Sequence, residues 1–382
     1  LDVIREDIHE IKQTFTSKRR TEIVEAVGEF SMEELIPDEP VVVTISHEGY
    51  IKRTDIESYR KQGRGGKGVR GGSTKEGDFL EHLFVVSTHD YLLFFTDRGR
   101  VYWARVFDLP IMGRTSRGRS IANLLQMQPN ECHKAVLPVK QFEESFIFFA
   151  TAKGTVKKTP MAAYSRPRPS GIIAISLDPD DSLVNVERTT GENEIVLGSR
   201  DGMAVRFHEK DVRAMGRSAH GVRGMNLESS DLVVAMVAIN PGLSLLSICE
   251  NGYGKRTDIE EYRKTRRGGK GVINIKTTDR NGKVVAILAV SDSDELMFIT
   301  AKGMMLRTDL AAVREIGRAT QGVRLIRLDD ADKVVASAKI PPDADGGQVG
   351  EATDAETDTT ADADPSPAND PAPDEAGNDG EA

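Results

Sequence analysis

The chain has 382 residues, of which 38% are hydrophobic, a content sufficient for one large or several small folded domains. It has no apolar run of about 18 residues and no charged-then-apolar N-terminal pattern, which argues against a membrane location and secretion and favours a cytoplasmic protein. Neither the two cysteines nor the seven histidines have metal-ligand spacing, so we expect two buried thiols, Cys132 and Cys249, and no zinc.

The first 15 residues carry a heptad pattern. Leu1, Ile4, Ile8, Ile11 and Phe15 are spaced by 3, 4, 3 and 4 residues, as in the a and d positions of a coiled coil. Two heptads are marginally stable alone. We therefore expect residues 1–40 to be the end of a longer coiled coil, belonging to a larger protein, followed by a linker.

From Val41 the sequence repeats in six units of about 50 residues. Short apolar strands such as "VVVTISHEGY" and "YLLFFTDRGR" each run into a tight turn with glycine at a fixed place. The turn glycines are Gly49, Gly99, Gly154, Gly202, Gly252 and Gly303. A second glycine follows each of them, 19 residues later in five units and 17 in the third: Gly68, Gly118, Gly171, Gly221, Gly271 and Gly322.

Each unit reads as a strand, a hairpin turn, a basic strand such as "YIKRTDI", a long connection and two further short strands. Four short antiparallel strands repeated six times predict an all-β radial or stacked repeat over residues 41–340, in which each sheet buries one face on its neighbour. A helical solenoid would need two amphipathic helices per unit, which these segments do not supply.

The C-terminal segment 341–382 differs sharply in charge. Of the 60 acidic residues, 13 lie in this segment, which has no base, so residues 1–340 carry 47 acids against 51 bases. Its Asp/Ala/Pro/Thr composition offers little to bury and predicts disorder. Two roles remain open for this tail: it solubilises the protein, or it mimics nucleic-acid charge and competes for the basic body.

Two units contain a glycine-rich cationic loop, "QGRGGKG" at residues 62–68 and "TRRGGKG" at residues 265–271. Both lack the Ser or Thr that a phosphate-binding P-loop places after Gly-Lys, which argues against a nucleotide site. The segments Arg60–Arg70 and Arg263–Lys270 each hold five cations and no acid, a pattern that fits polyanion binding or a solvated loop. Other units also carry bases at this place, which favours a ring of cations around one rim.

Duplex DNA is the ligand that this pattern favours. The loops lack the recognition helix and the Asn/Gln sets that base readout usually needs, and an aromatic content of 5% leaves few stacking platforms for single strands. Contacts to phosphates spread over several units would bend the duplex, with little sequence preference and a steep dependence on salt.

The motifs "YIKRTDI", "STHDYLLFFTDRGRVYW", "VRAMGRSAHGVRGMNL" and "NGYGKRTDIEEY" closely resemble the C-terminal part of bacterial DNA gyrase A. The resemblance covers residues 1 to about 340. It implies a six-bladed β-pinwheel of four-stranded antiparallel blades that exchange strands, with a short N-terminal helical remnant, a pinwheel domain at 41–340 and the acidic tail at 341–382. In this family the pinwheel wraps DNA so that the complete ATP- and Mg²⁺-dependent topoisomerase introduces negative supercoils.

The resemblance also implies the partners. They are duplex DNA, the N-terminal domain of gyrase A, and gyrase B in an A2B2 assembly in the bacterial cytoplasm at the nucleoid. The cleavage tyrosine of the family follows an arginine, and none of the seven tyrosines here does, so we expect a non-catalytic part without a cofactor of its own. The alternatives are the topoisomerase IV counterpart, favoured less because QGRGGKG and six units are intact, and a protein-binding propeller.

QGRGGKG stands where the family has its gyrase-A box, with Gly63 in place of an arginine, and TRRGGKG is nearly a second box with Thr265 in place of Gln. The residues that we assign to DNA contact are Arg60, Lys61, Gln62, Arg64, Gly65, Gly66, Lys67, Gly68, Arg70, Arg117, Arg119, Arg217, Arg223, Arg266, Arg267, Lys270, Arg318 and Arg324.

Overall fold

The computed structural model describes residues 1–15, 17, 35–55, 78, 80–113, 116–142, 144–239, 242–302, 304–310, 313–329 and 332–340. The predicted N-terminal helix is present as α1 (Asp2–Phe15), and its apolar residues, including Ile4, Ile8 and Ile11, are exposed. No helix in the described ranges has the length and apolar character needed to cross a bilayer. QGRGGKG and the acidic tail fall outside these ranges.

Six antiparallel sheets follow, which we call blades 1–6 after the repeat unit that supplies the hairpin of each. The strands of units 1–3 are β1 (Pro40–Ser46), β2 (Tyr50–Asp55), β3 (Leu80–Ser87), β4 (Tyr91–Thr96), β5 (Arg100–Arg105), β6 (Arg119–Ser120), β7 (His133–Val139), β8 (Phe146–Thr151), β9 (Thr155–Pro160), β10 (Ile172–Ile173) and β11 (Leu183–Thr189). Those of units 4–6 are β12 (Glu194–Ser199), β13 (Met203–His208), β14 (Val222–Arg223), β15 (Val233–Ile239), β16 (Ser244–Cys249), β17 (Tyr253–Asp258), β18 (Val272–Ile273), β19 (Val284–Val290), β20 (Glu295–Thr300), β21 (Met305–Asp309), β22 (Val323–Arg324) and β23 (Val334–Ile340).

Short 3₁₀ helices interrupt the long connections of the units. They span Val106–Asp108, Ile121–Asn123, Met161–Tyr164, Glu209–Asp211 and Ile259–Glu261. Four of them directly follow the second strand of a hairpin, where the chain leaves its sheet.

The blades exchange strands in the way that the family resemblance implies. Blade 3 has the order β11-β8-β9-β14, and its last strand comes from unit 4; blades 1, 2, 4 and 5 follow the same rule with β6, β10, β18 and β22. In blade 3 the register pairs Val222 with Val156 and Arg223 with Thr155. We call these five two-residue segments the exchanged strands. Blade 6 has three strands, β21-β20-β23, in the part of the chain that the structure describes.

The turn glycines are required where an exchanged strand arrives. Gly202 has φ +89°, and its carbonyl accepts hydrogen bonds from the backbone N–H groups of Asn274 (2.8 Å) and Ile275 (3.1 Å) in unit 5. A Cβ on Gly202 would lie 2.2 Å from the carbonyl oxygen of Ile275. Only glycine therefore satisfies both the backbone angle and the close approach.

In units 4, 5 and 6 the second glycine has a related role, just before the exchanged strand. Gly271 precedes β18 with φ +80°, and a Cβ there would lie 2.2 Å from the carbonyl oxygen of Ala204 in the neighbouring hairpin. A Cβ on Gly221 or on Gly322 would likewise lie 2.5 Å from a carbonyl oxygen of the adjacent blade. The two glycine registers of the sequence thus mark the two sides of one strand exchange.

The hydrophobic core lies between consecutive blades. Along β4, Leu92 and Phe94 pack with residues of blade 1, whereas Leu93 and Phe95 pack with residues of blade 3. Because successive side chains point to opposite faces of a strand and both faces are covered, the strand reads as a continuous apolar run. Each fully buried side chain of this size contributes about 1.5–3 kcal/mol.

The prediction of two buried thiols is wrong for Cys132. Cys249 is buried in β16, and burial raises the pKa of its thiol to about 12. Cys132 is exposed, because it lies in the turn before β7, where its backbone N–H donates to the Asp97 carboxylate at 2.9 Å.

Candidate nucleic-acid interface

The exchanged strands occupy the outer edge of the propeller. The opposite edge strands β7, β11, β15, β19 and β23 contact one another in sequence around the centre, so the two-residue strands lie farthest from it. The loop that precedes each of them runs along the perimeter from one blade to the previous one. We call these the rim loops: the described residues 109–113 and 116–118, and residues 165–171, 212–221, 262–271 and 313–322.

The rim loop of unit 2 presents Arg117 and, on β6, Arg119, both of which are exposed. The Arg117 guanidinium lies 4.0 Å from the ring centre of Tyr50 and 3.6 Å from the Glu48 carboxylate. The ring and the carboxylate orient Arg117 on the surface of blade 1, whereas Arg119 is exposed on the outermost strand.

Units 4 and 6 also have one arginine in the rim loop and one on the exchanged strand, the latter one register position later than Arg119. Arg223 and Arg324 are exposed on the exchanged strands β14 and β22, and Arg217 and Arg318 are half-buried in the rim loops before them. The Arg318 guanidinium donates to the carbonyl of Ile273 at 3.1 Å and lies 4.0 Å from the Glu261 carboxylate.

A cation that the sequence analysis missed joins Arg324. The Arg324 guanidinium donates to the Tyr253 hydroxyl at 2.9 Å, and the Arg280 guanidinium lies 4.8 Å from the centre of the Tyr253 ring. Hydrogen bonds from Arg280 and Arg324 lower the pKa of Tyr253. The sequence does contain a signal for Arg280: it ends the segment "KTTDR" (276–280), and the equivalent segments of units 3 and 4, "SLDPD" and "NLESS", have no base.

The loop Thr265–Gly271 is hydrogen-bonded to the neighbouring unit 4. The Gly268 N–H donates to the carbonyl of Gly224 (2.6 Å), and Arg267 donates to the carbonyls of Asp211 (2.9 Å) and Arg223 (3.0 Å). Lys270 lies 2.8 Å from the Glu228 carboxylate, which raises its pKa. Arg266 is exposed on the same loop.

The carbonyl partners of Arg267 leave its charge uncompensated, whereas Glu228 offsets that of Lys270. The loop therefore combines a clamp between units 4 and 5 with a net positive surface. The remaining predicted contacts, Arg60, Lys61, Gln62, Arg64, Gly65, Gly66, Lys67, Gly68 and Arg70, lie outside the described residues.

Several cations of the basic strands are buried, which the sequence pattern did not reveal. Lys52, Lys157 and Lys255 are buried, with exposed fractions of 2%, 0% and 0%. Arg206 is also buried and pairs with the carboxylates of Glu194 (2.5 Å) and Glu260 (2.9 Å). These side chains hold neighbouring units together and are not exposed to a ligand.

The rim is chemically suited to phosphodiesters. Guanidinium groups present planar sets of N–H donors to phosphate oxygens, and the exchanged strands space these groups around the perimeter. Within the described ranges, no group of three or more His, Cys, Asp or Glu is placed to hold a metal ion.

A family model described as the DNA gyrase C-terminal domain, β-propeller, matches the chain six times, at residues 40–87, 90–126, 145–190, 193–240, 244–291 and 294–341. The chain belongs to this family. Each match contains the hairpin of one blade of the gyrase C-terminal propeller described above.

Curated relatives of this gyrase propeller include the DNA gyrase A polypeptide of Salmonella typhimurium, 45% identical over 346 residues, which cover 90% of the chain and 39% of the relative. The Escherichia coli polypeptide is 45% identical over 332 residues, covering 87% of the chain and 38% of the relative. The chain thus spans about two fifths of the length of these relatives.

Two solved structures share the fold. The C-terminal domain of DNA topoisomerase IV has a TM-score of 0.72 at 28% identity and covers 81% of this chain and 95% of its own. A DNA gyrase A C-terminal domain has a TM-score of 0.63 at 28% identity and covers 79% and 99%. The predicted family and the predicted six-bladed β fold are both confirmed.

Proposed function

We propose that this propeller binds duplex DNA along its outer rim and bends it, without chemistry of its own. The observation that carries the proposal is the position of Arg119, Arg223 and Arg324, exposed on the outermost strands of blades 1, 3 and 5. A duplex that follows the perimeter meets these cations in turn. Each phosphate contact offsets part of the bending cost, on the order of 1–6 kcal/mol for a short duplex.

We further propose the context of the whole protein from its relatives, which are DNA gyrase A polypeptides. In that context the chain presents wrapped DNA to the N-terminal domain of gyrase A, in an A2B2 assembly with gyrase B in the bacterial cytoplasm. ATP and Mg²⁺ serve the complete enzyme in this proposal, and the propeller supplies the bent DNA that makes negative supercoiling directional.

The topoisomerase IV counterpart is the second candidate, because its C-terminal domain shares this fold with a TM-score of 0.72. The sequence favours gyrase: QGRGGKG is present in unit 1, and the relatives at 45% identity are gyrase A polypeptides. The two roles differ in whether the complete enzyme supercoils relaxed DNA or only relaxes and decatenates it.

The test uses a linear duplex with a fluorophore at each end. We expect the full chain to bind it with little dependence on sequence, to bring its ends together, and to lose affinity with salt at a log-log slope near −0.9 for each phosphate neutralised. Arg119→Ala with Arg223→Ala and Arg324→Ala should reduce both the slope and the energy transfer. Binding of the wild-type chain without approach of the ends would contradict wrapping.

A further inference from the structure

The six units are not equivalent beneath the rim. Three residues after the turn glycine, units 1, 3 and 5 place Lys52, Lys157 and Lys255, all buried. Unit 2 has Tyr102 and unit 4 has Val205, which are buried as well, at the same position. A buried ammonium therefore recurs in every second blade.

Each of these ammonium groups binds backbone carbonyls of the next unit's rim loop. Lys52 donates to the carbonyls of Gly113 (3.3 Å) and Ser116 (2.8 Å). Lys157 donates to the carbonyl of Arg217, and also to that of Ala174 at 2.6 Å.

Lys255 follows the same pattern in blade 5. It donates to the carbonyls of Gly317 (2.9 Å) and Arg318 (2.6 Å). In all three blades these loop acceptors belong to a rim loop of an even-numbered unit.

The even-numbered rim loops, which accept these hydrogen bonds, also share a sequence. They read "GRTSRGRS" at 113–120, "GRSAHGVR" at 216–223 and "GRATQGVR" at 317–324, each opening with Gly-Arg. The lysines bind carbonyls of these dipeptides in all three loops, at Gly113, Arg217, Gly317 and Arg318. The exchanged strands of units 4 and 6 end in Arg223 and Arg324, whereas those of units 3 and 5 end in Ile173 and Ile273 and that of unit 2 ends in Ser120.

We propose that Lys52, Lys157 and Lys255 are positioning residues that fix the Gly-Arg rim loops of units 2, 4 and 6 in a DNA-binding conformation. Three of the contact points that the duplex meets, one for every two blades, are then held by a buried ammonium, whereas the loop of unit 5 is held by Arg267 and backbone hydrogen bonds instead. This inference rests on the proposed DNA-wrapping function and names how the rim is organised for it.

The physical reason is preorganisation. Glycine next to each loop arginine gives the backbone many alternative conformations, and ordering them on binding would reduce affinity. An ammonium has three donors and no acceptor, so a buried one must find hydrogen-bond acceptors, and the loop carbonyls that supply them here have their peptide planes fixed. Burial lowers the pKa of Lys157 and of Lys255 to about 7, which reflects how completely these groups are enclosed.

A double-mutant cycle between Lys157 and Arg217 tests the proposal in the full chain. Arg217→Ala should reduce the salt slope of duplex binding by about 0.9, the value for one phosphate. Lys157→Met should produce the same reduction, since it leaves Arg217 present but unplaced. The double variant should lose about 0.9 rather than twice that, because the two residues act as one unit.

Val205 supplies the matched control, because it occupies the same buried position in blade 4 without an ammonium. Val205→Ala leaves a cavity and lowers stability. We expect it to have a negligible effect on the salt slope of duplex binding. Combined with Arg266→Ala, its effect on that slope should be additive. This comparison separates general destabilisation from loss of loop positioning.

Lys157→Gln, which keeps two N–H donors, covers the case in which the Met variant fails to fold, and its slope should lie between those of wild type and Arg217→Ala. An unchanged slope in a folded Lys157 variant, or full additivity in the double variant, overturns the inference and leaves the proposed function intact. A wild-type chain that does not bind the duplex overturns the proposed function itself.

Discussion

The strand exchange makes a sharp prediction at Gly202. Changing Gly202 to Ala forces a residue with Cβ into φ +89°, which costs about 1–2 kcal/mol. The new Cβ would also lie 2.2 Å from the Ile275 carbonyl oxygen, so the exchanged strand of unit 5 must move away. That movement weakens the two hydrogen bonds that Gly202 accepts from Asn274 and Ile275, worth about 0.5–1.5 kcal/mol each.

We therefore expect Gly202→Ala to lower the free energy of unfolding by about 2–5 kcal/mol. Gly242→Ala is the matched control, because Gly242 has φ +85° and its Cβ would meet nothing within 4 Å. The control should lose only the backbone part, about 1–2 kcal/mol. Both variants share the same change in the unfolded chain, which cancels in the comparison.

Equilibrium urea unfolding of the full chain, followed by far-ultraviolet circular dichroism, measures both losses. The midpoint of Gly202→Ala should fall below that of Gly242→Ala. Equal midpoints would refute the reasoning, because they would mean that the close approach of the exchanged strand contributes nothing to stability.

Three further predictions concern charged groups. Burial lowers the pKa of Lys157 from its ordinary value of 10.5 to about 7, so the unfolded chain binds more protons than the folded chain between these pH values. The stability of wild type relative to Lys157→Met should therefore rise as pH increases from 7 to about 9.5. A flat or falling difference in urea unfolding would contradict the lowered pKa. Arg267→Ala should destabilise the chain by about 1–3 kcal/mol, because two hydrogen bonds to backbone carbonyls are lost. Arg266→Ala should change stability by less than about 0.5 kcal/mol and chiefly weaken duplex binding. Equal losses of stability in thermal unfolding would contradict the role of Arg267 in holding units 4 and 5 together. Arg280→Ala should raise the pKa of Tyr253, measured by the NMR titration of its ring, and an unchanged titration would contradict the contact.

The sequence predicted the six-unit β-repeat well because its signals are local and periodic. Each apolar run followed by a glycine turn specifies a hairpin, as at Gly154 and Gly202, and the phase between the two glycine registers fixes the repeat length. Strand exchange was implied by the family resemblance, since pairing between Arg223 and Thr155 of different units leaves no local trace in the sequence.

The sequence predicted that the rim is basic, but not the contacts that its individual cations make. A run of bases does not reveal which cations already have protein partners, so the sequence could not distinguish exposed Arg266 from Arg267, which binds carbonyls of unit 4. It also could not show that Lys157 in a basic strand points inward, because burial of a cation depends on carbonyls supplied by a distant loop. Arg280 lay outside the repeated basic segments and was missed for that reason.

The central claim is that the duplex follows the rim as a curved path, and the topology of sealed circles tests it most directly. Nicked circular DNA is incubated with the full chain, sealed with ligase and deproteinised, and its topoisomers are separated by electrophoresis. We predict that the mean linking number shifts from that of DNA sealed without protein, in proportion to the chain added, and that Arg119→Ala with Arg223→Ala and Arg324→Ala reduces the shift. A distribution that matches the protein-free control at saturating chain would contradict the account.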